Sequence, residues 1–279
     1  MKDNIKILFL GDIVGRPGRI SVKYFLQNVN EFLGYKPDLV IANCENASHG
    51  FGLTEKNYHD LLSFGIDILT SGNHIWDRKE IFNYIDSADR LLRPLNYPEN
   101  VSGKGSLIYS GENYKVAVIS ILGRIFMDHY NSPWEVIKPE ITRLQMETPV
   151  IIVDFHAEAT AEKKAFGHFL SKIGVTAMLG THTHVQTSDE TIMHDVMAYI
   201  TDAGYCGASE SVIGMDISSS LNRLTTLLPS RYEIPAVDKA TVNGVTLTVN
   251  PYNGIPESIQ RVKQDLDLKK AIEEGKLNL

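Results

Sequence analysis

The chain has 279 residues, of which 43% are hydrophobic and 22% charged, and these ordinary globular values exclude a disordered, collagen-like or coiled-coil protein. Its length allows either one large α/β domain or two small ones, each able to bury a core. Thirty-four acidic and 27 basic residues give a formal net charge of −7, which argues against a protein that binds nucleic acid mainly through a broad basic surface.

The first third of the sequence alternates short apolar runs with stretches of helical periodicity. This is the pattern of buried strands joined by crossover helices. In chain order the predicted elements are a strand at Ile5–Leu10, a helix opened by Pro17, a strand at Leu39–Asn43, a helix from the cap residue Thr54 to Phe64, a strand at Ile66–Thr70 and a helix from Lys79 to about Ile85. The pattern predicts repeated strand-helix units and therefore an α/β protein.

The rest of the chain continues this pattern less regularly. Residues 123–149 are predicted to form a connection that can contain one helix. The further predicted elements are a hairpin of Ser106–Tyr109 and Tyr114–Ile121, strands at Val150–Phe155, Val175–Leu179, Met197–Thr201 and Tyr232–Pro235, a helix over Glu162–Ile173, a hairpin turn at Asn243-Gly244 and a surface helix over Gln260–Lys276. No repeat or linker divides the sequence. We therefore expect a single domain over residues 1–279, with a small insertion or cap around 205–230 as an alternative.

Chemically unusual polar residues follow the predicted strands, with one set at each strand end. The sets are Asp12; Asn43, Glu45 and Asn46; Asn73 and His74; Asp154 and His156; His182 and His184. In an open α/β sheet, the loops beyond the carboxyl ends of the strands share one crevice. Each residue alone could form a turn or be a satisfied buried group. Five sets in the same structural position favour a shared functional site.

These side chains are of the kinds that bind divalent metal ions. Carboxylates, amide oxygens and imidazoles in this number are enough for two ions about 3.5 to 4 Å apart. His182 and His184 would be a weak signal on their own. A structural zinc site is disfavoured because such sites prefer cysteine, and we interpret Cys44 as a small buried residue of its strand. The remaining histidines lack this placement and receive no metal role.

The combined motifs resemble the calcineurin-like metallophosphoesterase superfamily, and more closely its YmdB-type bacterial branch. The resemblance is carried by LVIANCENASHGFGLT (39–54), LTSGNHIWD (69–77), LLRPLNY (91–97), VDFHAEATAEK (153–163), GTHTHV (180–185) and YITDAG (199–204). Asp12 is not followed by the histidine of the superfamily's usual Asp-x-His, and Glu45 stands where the bridging aspartate is usual. In the YmdB-type branch, the asparagine after that glutamate, here Asn46, supplies the missing ligand.

The resemblance implies an α/β fold with a core of two packed sheets flanked by helices, and a dinuclear metal site at the carboxyl ends of the strands. It assigns Asp12, Glu45, Asn46 and His184 to one ion, and Glu45, Asn73, His156 and His182 to the other, with Glu45 bridging. His74 is expected to stay off the metals and to protonate the leaving group. The implied cofactors are two metal ions, iron in the first place and manganese as the alternative.

The function that the resemblance implies is that of a metal-dependent phosphodiesterase, a hydrolase acting on 2′,3′-cyclic nucleotides or related small phosphodiesters, for which we expect a metal-bound hydroxide as the nucleophile. Alternatives stay open for the function and for two single residues. The same site would suit a phosphomonoesterase or nucleotidase, or a regulatory protein that acts on RNA-processing partners with weak turnover. Independently of the function, the alternative role of His74 is to orient Asn73. Phe51, in a glycine-flanked loop, would either stack on a base or pack against the domain.

The two cysteines, Cys44 and Cys206, make no disulfide framework, which predicts a reducing compartment and hence the cytoplasm. We expect no signal peptide, because the amino terminus has no apolar core, and no membrane partner, because no apolar run nears about 18 residues. The expected partner is a small phosphodiester or nucleotide, without an extended nucleic-acid surface. A symmetric homo-oligomer is compatible with the chain, although no residue identifies its interface.

Overall fold

Two β-sheets lie face to face between layers of helices in the computed structural model, which describes residues 4–229 and 231–278. The strands are β1 (Ile5–Leu10), β2 (Asp12–Ile13), β3 (Leu39–Asn43), β4 (Ile68–Thr70), β5 (Ser106–Ser110), β6 (Lys115–Leu122), β7 (Ile151–His156), β8 (Ala177–Thr181), β9 (Thr191–Met193), β10 (Met197–Ile200), β11 (Tyr205–Ala208), β12 (Lys239–Val249) and β13 (Pro256–Asp267). The α-helices are α1 (Gly15–Gln27), α2 (Val29–Leu33), α3 (Glu55–Ser63), α4 (Pro133–Gln145), α5 (Thr160–Leu170), α6 (Ile217–Thr226) and α7 (Leu268–Glu273).

The first sheet has seven strands in the order β2-β11-β12-β1-β3-β4, with β13 along the other edge of β12. Strands β1, β3 and β4 are parallel, whereas β12 runs antiparallel to β1, to β11 and to β13. The second sheet has six strands in the order β5-β6-β7-β8-β10-β9, and its four central strands are parallel. In both sheets, the parallel strands therefore present their carboxyl ends at one edge.

The core has three layers because the central strands bury both faces. In β1, Ile7 and Phe9 point between the two sheets, where they meet Val118 and Ile152 of the second sheet. The intervening residues of β1 pack instead against α1, α3 and α7. Helices α4 and α5 cover the outer face of the second sheet. Burial on both faces explains why these strands are continuous apolar runs in the sequence, and it confirms the predicted pair of packed sheets between helices.

Several predicted elements are confirmed with their local cause. Strands β1 and β3 have the predicted bounds. Helix α3 begins at Glu55 because the Thr54 hydroxyl accepts a hydrogen bond from the Asn57 backbone amide (3.3 Å), which is a regular N-cap. The predicted hairpin is present as β5 and β6. The segment 123–149 holds helix α4, and the predicted helix from Lys79 is a 3₁₀ turn, Lys79–Asn83.

Three predictions near the carboxyl terminus are wrong. Residues 232–235 form no strand. Asn243 and Gly244 lie inside β12 rather than in a turn. Glycine is needed there because a Cβ on Gly244 would collide with the Phe9 carbonyl oxygen of β1. Residues 260–267 of the predicted surface helix belong to strand β13, and only Leu268–Glu273 is helical. Pairing with β12 along its whole length overrides the local helical preference of this polar segment.

Within residues 4–229 and 231–278, none of the helices combines the length and the apolar character that a membrane span requires.

Candidate metal centre

The predicted site residues lie just beyond strands of both sheets, at the edge where the carboxyl ends meet. Asp12 is in β2, Glu45 and Asn46 follow β3, Asn73 and His74 open a 3₁₀ turn after β4, His156 ends β7, and His182 and His184 follow β8. The two sheets thus contribute side chains to one place, as the strand-end argument requires.

Four of these residues form a tight group around one imidazole nitrogen, which we name the inner cluster (Glu45, Asn73, His156 and His182). The His156 Nε2 lies 3.0 Å from Glu45 Oε1, 3.2 Å from Asn73 Oδ1 and 3.0 Å from His182 Nδ1. One ligand atom each from Glu45, His156 and His182 falls within 4.8 Å of the others. A Cβ on Gly72 would collide with the Glu45 carboxylate and the His156 ring, so only glycine leaves room for them.

A second group lies beside it, which we name the outer cluster (Asp12, Asn46 and His184). The Asp12 Oδ1 is 3.8 Å from His184 Nε2. Within the described residues, Asp12 Oδ1 and Asn46 Oδ1 are buried and have no hydrogen-bond partner. Leaving a buried oxygen unpaired costs about 1 to 3 kcal/mol. A carboxylate oxygen beside an imidazole nitrogen, together with the unpaired amide oxygen of Asn46, is a donor set that a divalent cation takes, so the residues present fit a metal ion.

Hydrogen bonds elsewhere on the side chains explain why these atoms point inward. The Thr181 hydroxyl donates to the acceptor-only Asp154 Oδ1 (2.6 Å), so its oxygen accepts from His156 Nδ1 (2.9 Å). The His184 Nδ1 donates to the Ile213 carbonyl oxygen (2.8 Å). Each ring therefore directs its Nε2 toward its cluster, in the arrangement usual for metal-binding histidines.

Glu158 completes this orientation and was not predicted from the sequence. Its Oε2 lies 3.0 Å from His182 Nε2, so His182 directs Nδ1 at the inner cluster. The signal was present in the motif VDFHAEATAEK, where Glu158 stands two residues after His156. It was overlooked because a carboxylate beyond a strand end, on a half-exposed turn, is usually a solvated surface group.

Replacing Glu158 with glutamine is expected to weaken metal binding by about 10- to 100-fold, the usual effect of losing such a supporting carboxylate. Equilibrium dialysis of the purified protein against Mn²⁺, followed by elemental analysis, measures the change. Glu210→Gln is the matched control, because it removes an exposed carboxylate (75% exposed) that pairs with Lys239 (2.9 Å). Equal affinities for both variants would contradict the orienting role.

The clusters also set the protonation of their members. Burial alone would raise the pKa of Glu45, but the charge and hydrogen bond of His156, with a smaller contribution from His74, hold that pKa at about 2. Burial and the charge of His156 lower the pKa of His182 to about 3. Burial disfavours charge on His156, yet Glu45 and Asp12 raise its pKa to about 9. His156 is therefore protonated where it lies between the Glu45 and Asp12 carboxylates, and a bound cation would replace that proton.

A buried ion pair holds the loop that carries His182 and His184. Lys163 Nζ lies 2.7 Å from Asp202 Oδ2 and donates to the Thr181 carbonyl oxygen (2.7 Å), and both charged side chains are fully buried. The backbone amide and hydroxyl of Thr183 donate to the same Asp202 oxygen (3.1 and 2.8 Å). The two histidines adopt φ of +101° and +62°, and such strain persists only where surrounding contacts fix the backbone.

His74 stands at the rim rather than inside either cluster. Its Nδ1 lies 2.8 Å from Asp77 Oδ2, and its backbone amide donates to Glu45 Oε2 (2.9 Å). The ring packs edge-on against Phe51, with 4.9 Å between the ring centroids. Both side chains line a cavity of about 400 Å³ that opens over the clusters. A small molecule in this cavity would reach the clusters and His74 together.

Comparisons with known proteins show the family to which the chain belongs. A family described as YmdB-like protein matches residues 8–262. The chain is 42% identical to a 2′,3′-cyclic-nucleotide 2′-phosphodiesterase of Bacillus subtilis, over 92% of this chain and 96% of that one. A crystal structure of a novel phosphatase from Mycoplasma pneumoniae superposes with a TM-score of 0.87 at 33% identity, covering 98% of each chain. A hypothetical protein from Thermus thermophilus gives a TM-score of 0.84 at 35% identity, covering 94% of this chain and 99% of that one.

Proposed function

Because the chain belongs to the YmdB-like family of metallophosphoesterases, we propose that it is a metal-dependent phosphodiesterase that hydrolyses nucleoside 2′,3′-cyclic phosphates or related small phosphodiesters. One observation carries the proposal: the inner and outer clusters lie together under a cavity of about 400 Å³, which is within the range of small-ligand sites. The relative in Bacillus subtilis, whose name states this substrate class, supports the choice of ester.

We assign one metal ion to each cluster, with Glu45 shared between them. The assignment rests on the convergence of Glu45, His156 and His182 and on the unpaired oxygens of Asp12 and Asn46. Iron, with manganese as the alternative, suits a set of imidazole and oxygen donors. Ions bound there would supply an acidified water as nucleophile and positive charge beside the phosphoryl oxygens.

We assign the general acid to His74. The hydrogen bond to Asp77 holds the ring through Nδ1 and leaves Nε2 to donate a proton to the departing ribose oxygen. The fixed backbone supports this role, because the His74 amide is itself bonded to the Glu45 carboxylate. The backbone of the proposed acid is therefore bonded to a member of the inner cluster, while its ring is not one of the assigned metal ligands.

We also place the protein in the cytoplasm. Cys44 and Cys206 are both buried and free of disulfides, as is usual for proteins of a reducing compartment.

A substrate panel combined with elemental analysis tests the function. The purified protein is expected to contain iron or manganese and to hydrolyse nucleoside 2′,3′-cyclic phosphates faster than nucleoside 2′-, 3′- or 5′-monophosphates. Chelation should remove the activity, and adding the metal back should restore it. Faster cleavage of the monophosphates would make the protein a nucleotidase instead. Full activity of metal-free protein would contradict the proposal.

A further inference from the structure

The cavity over the clusters has two unlike halves. Its floor is polar and is formed by members of both clusters. Its remaining wall is mostly apolar and comes largely from Phe51 and the segment 212–232, in which Met215, Leu224 and Tyr232 line the cavity. None of the described residues of that segment lining the cavity is charged. The cavity therefore suits a molecule with an anionic group at one end and a neutral, apolar body at the other.

Ser220 is the exception in this apolar wall. It lies in α6, is one of the residues that line the cavity and is 1% exposed, and its hydroxyl has no hydrogen-bond partner among the described residues. The neighbouring Ser218 and Ser219 both donate to Asp216 at the start of the helix. A buried hydroxyl is normally bonded, so an unpaired one on a residue that lines a cavity is a candidate partner for a polar atom of a ligand.

The aromatic part of the wall is held in place by its neighbours. The Arg223 guanidinium lies 4.8 Å from the centre of the Tyr232 ring. Tyr232 and Phe51 are 6.2 Å apart between ring centroids, and Phe51 continues to the ring of His74. A row of three rings thus leads from the apolar wall to the proposed general acid.

We propose that this half of the cavity is the subsite for the nucleobase, formed by Phe51, Tyr232 and Ser220. The inference rests on the proposed function and specifies how its substrate is held. A flat heteroaromatic ring packs against the aromatic side chains, and the Ser220 hydroxyl bonds one polar edge of the base. A second phosphate is a poorer occupant, because none of the described residues of segment 212–232 that line the cavity is charged and the Arg223 guanidinium packs on the Tyr232 ring. Since a hydroxyl both donates and accepts, the subsite accepts all four bases and favours the larger purines.

Two esters that differ only in the base test the subsite: adenosine 2′,3′-cyclic phosphate and methyl ribofuranoside 2′,3′-cyclic phosphate. We expect the wild-type protein to have a kcat/KM about 5- to 100-fold higher for the adenosine ester, as is usual for one stacked base. Tyr232→Ala should bring this ratio close to one. Ser220→Ala should lower it by about 2- to 10-fold, mainly through KM, as expected from one hydrogen bond.

Ser218→Ala is the matched control, because it removes an exposed hydroxyl from the same helix. Thermal unfolding of each variant checks that the fold is retained. A wild-type ratio near one, with both esters hydrolysed, would overturn the subsite and leave the proposed function in place. Losses of equal size on both esters in the two variants would assign the wall a structural role and also overturn it. Hydrolysis of neither ester by the wild type would remove the proposed function together with the subsite.

Discussion

Replacing Glu45 with glutamine is expected to lower kcat/KM for a nucleoside 2′,3′-cyclic phosphate by at least about 10³-fold, because metal ions supply several kcal/mol of charge stabilisation and each 1.4 kcal/mol is a factor of ten. The Glu45 carboxylate is buried, and its two oxygens face His156 Nε2 and the His74 backbone amide. Glutamine keeps the size and one carbonyl oxygen but removes the negative charge. The substitution therefore removes the carboxylate that we assign to both metal ions, while the shape of the site is retained.

Metal content separates this effect from simple misfolding. The variant should bind less metal than the wild type and should keep its far-ultraviolet circular dichroism spectrum. Glu147→Gln is a suitable control, since it removes a carboxylate that pairs on the surface with Lys115 (2.9 Å), and it should keep both activity and metal. A Glu45→Gln protein with full metal content and turnover within tenfold of the wild type would contradict the bridging role.

Replacing His74 with alanine is expected to lower kcat by roughly 10²-fold or more, the usual scale of general acid catalysis, with metal content unchanged. The decisive comparison uses two leaving groups. A ribose oxygen needs a proton to depart, whereas the p-nitrophenolate of bis(p-nitrophenyl) phosphate does not. The loss should therefore be large on the cyclic nucleotide and much smaller on the nitrophenyl ester. The exposed His59, replaced with alanine, serves as the control.

The same comparison tests the alternative in which His74 merely orients Asn73. An orienting residue would affect both esters alike, and its loss would lower the metal content of the inner cluster. Equal losses on the two esters, or full turnover of the variant on the cyclic nucleotide, would remove His74 as the acid.

The strand ends were predictable because parallel strands buried on both faces leave a strong apolar signal. Leu39–Asn43 is such a run, and the polar residues after it had no packing reason to be there. Residues whose role depends on distant contacts left no such signal. Ser220 is an ordinary helix residue until the fold places it, buried and unpaired, at the cavity, and Glu158 is an ordinary surface acid until His182 lies beside it.

Strand β13 was misread for a related physical reason. Its inward residues, Val262 and Leu266, are four positions apart, which also fits a helical face. The segment forms a strand rather than a helix because it pairs with β12, which is itself held in the sheet by β1 and β11. Gly244 was misread as a turn residue, although it is required by the close approach of β1.

The pairing of β1 with β12 joins two segments that the ribosome synthesises far apart in time. Ile5 pairs with Val249, and β2, which carries Asp12, pairs with β11 at Tyr205. A ribosome adding about 5 to 20 residues per second needs roughly 12 to 50 s to travel from the first strand to its late partner. Until β11 has been synthesised, β2 lacks the partner strand that positions Asp12 in the outer cluster. Until β12 has been synthesised, one edge of β1 is unpaired and accessible to other chains. We therefore expect metal to bind the outer cluster only after β11 and β12 have been synthesised.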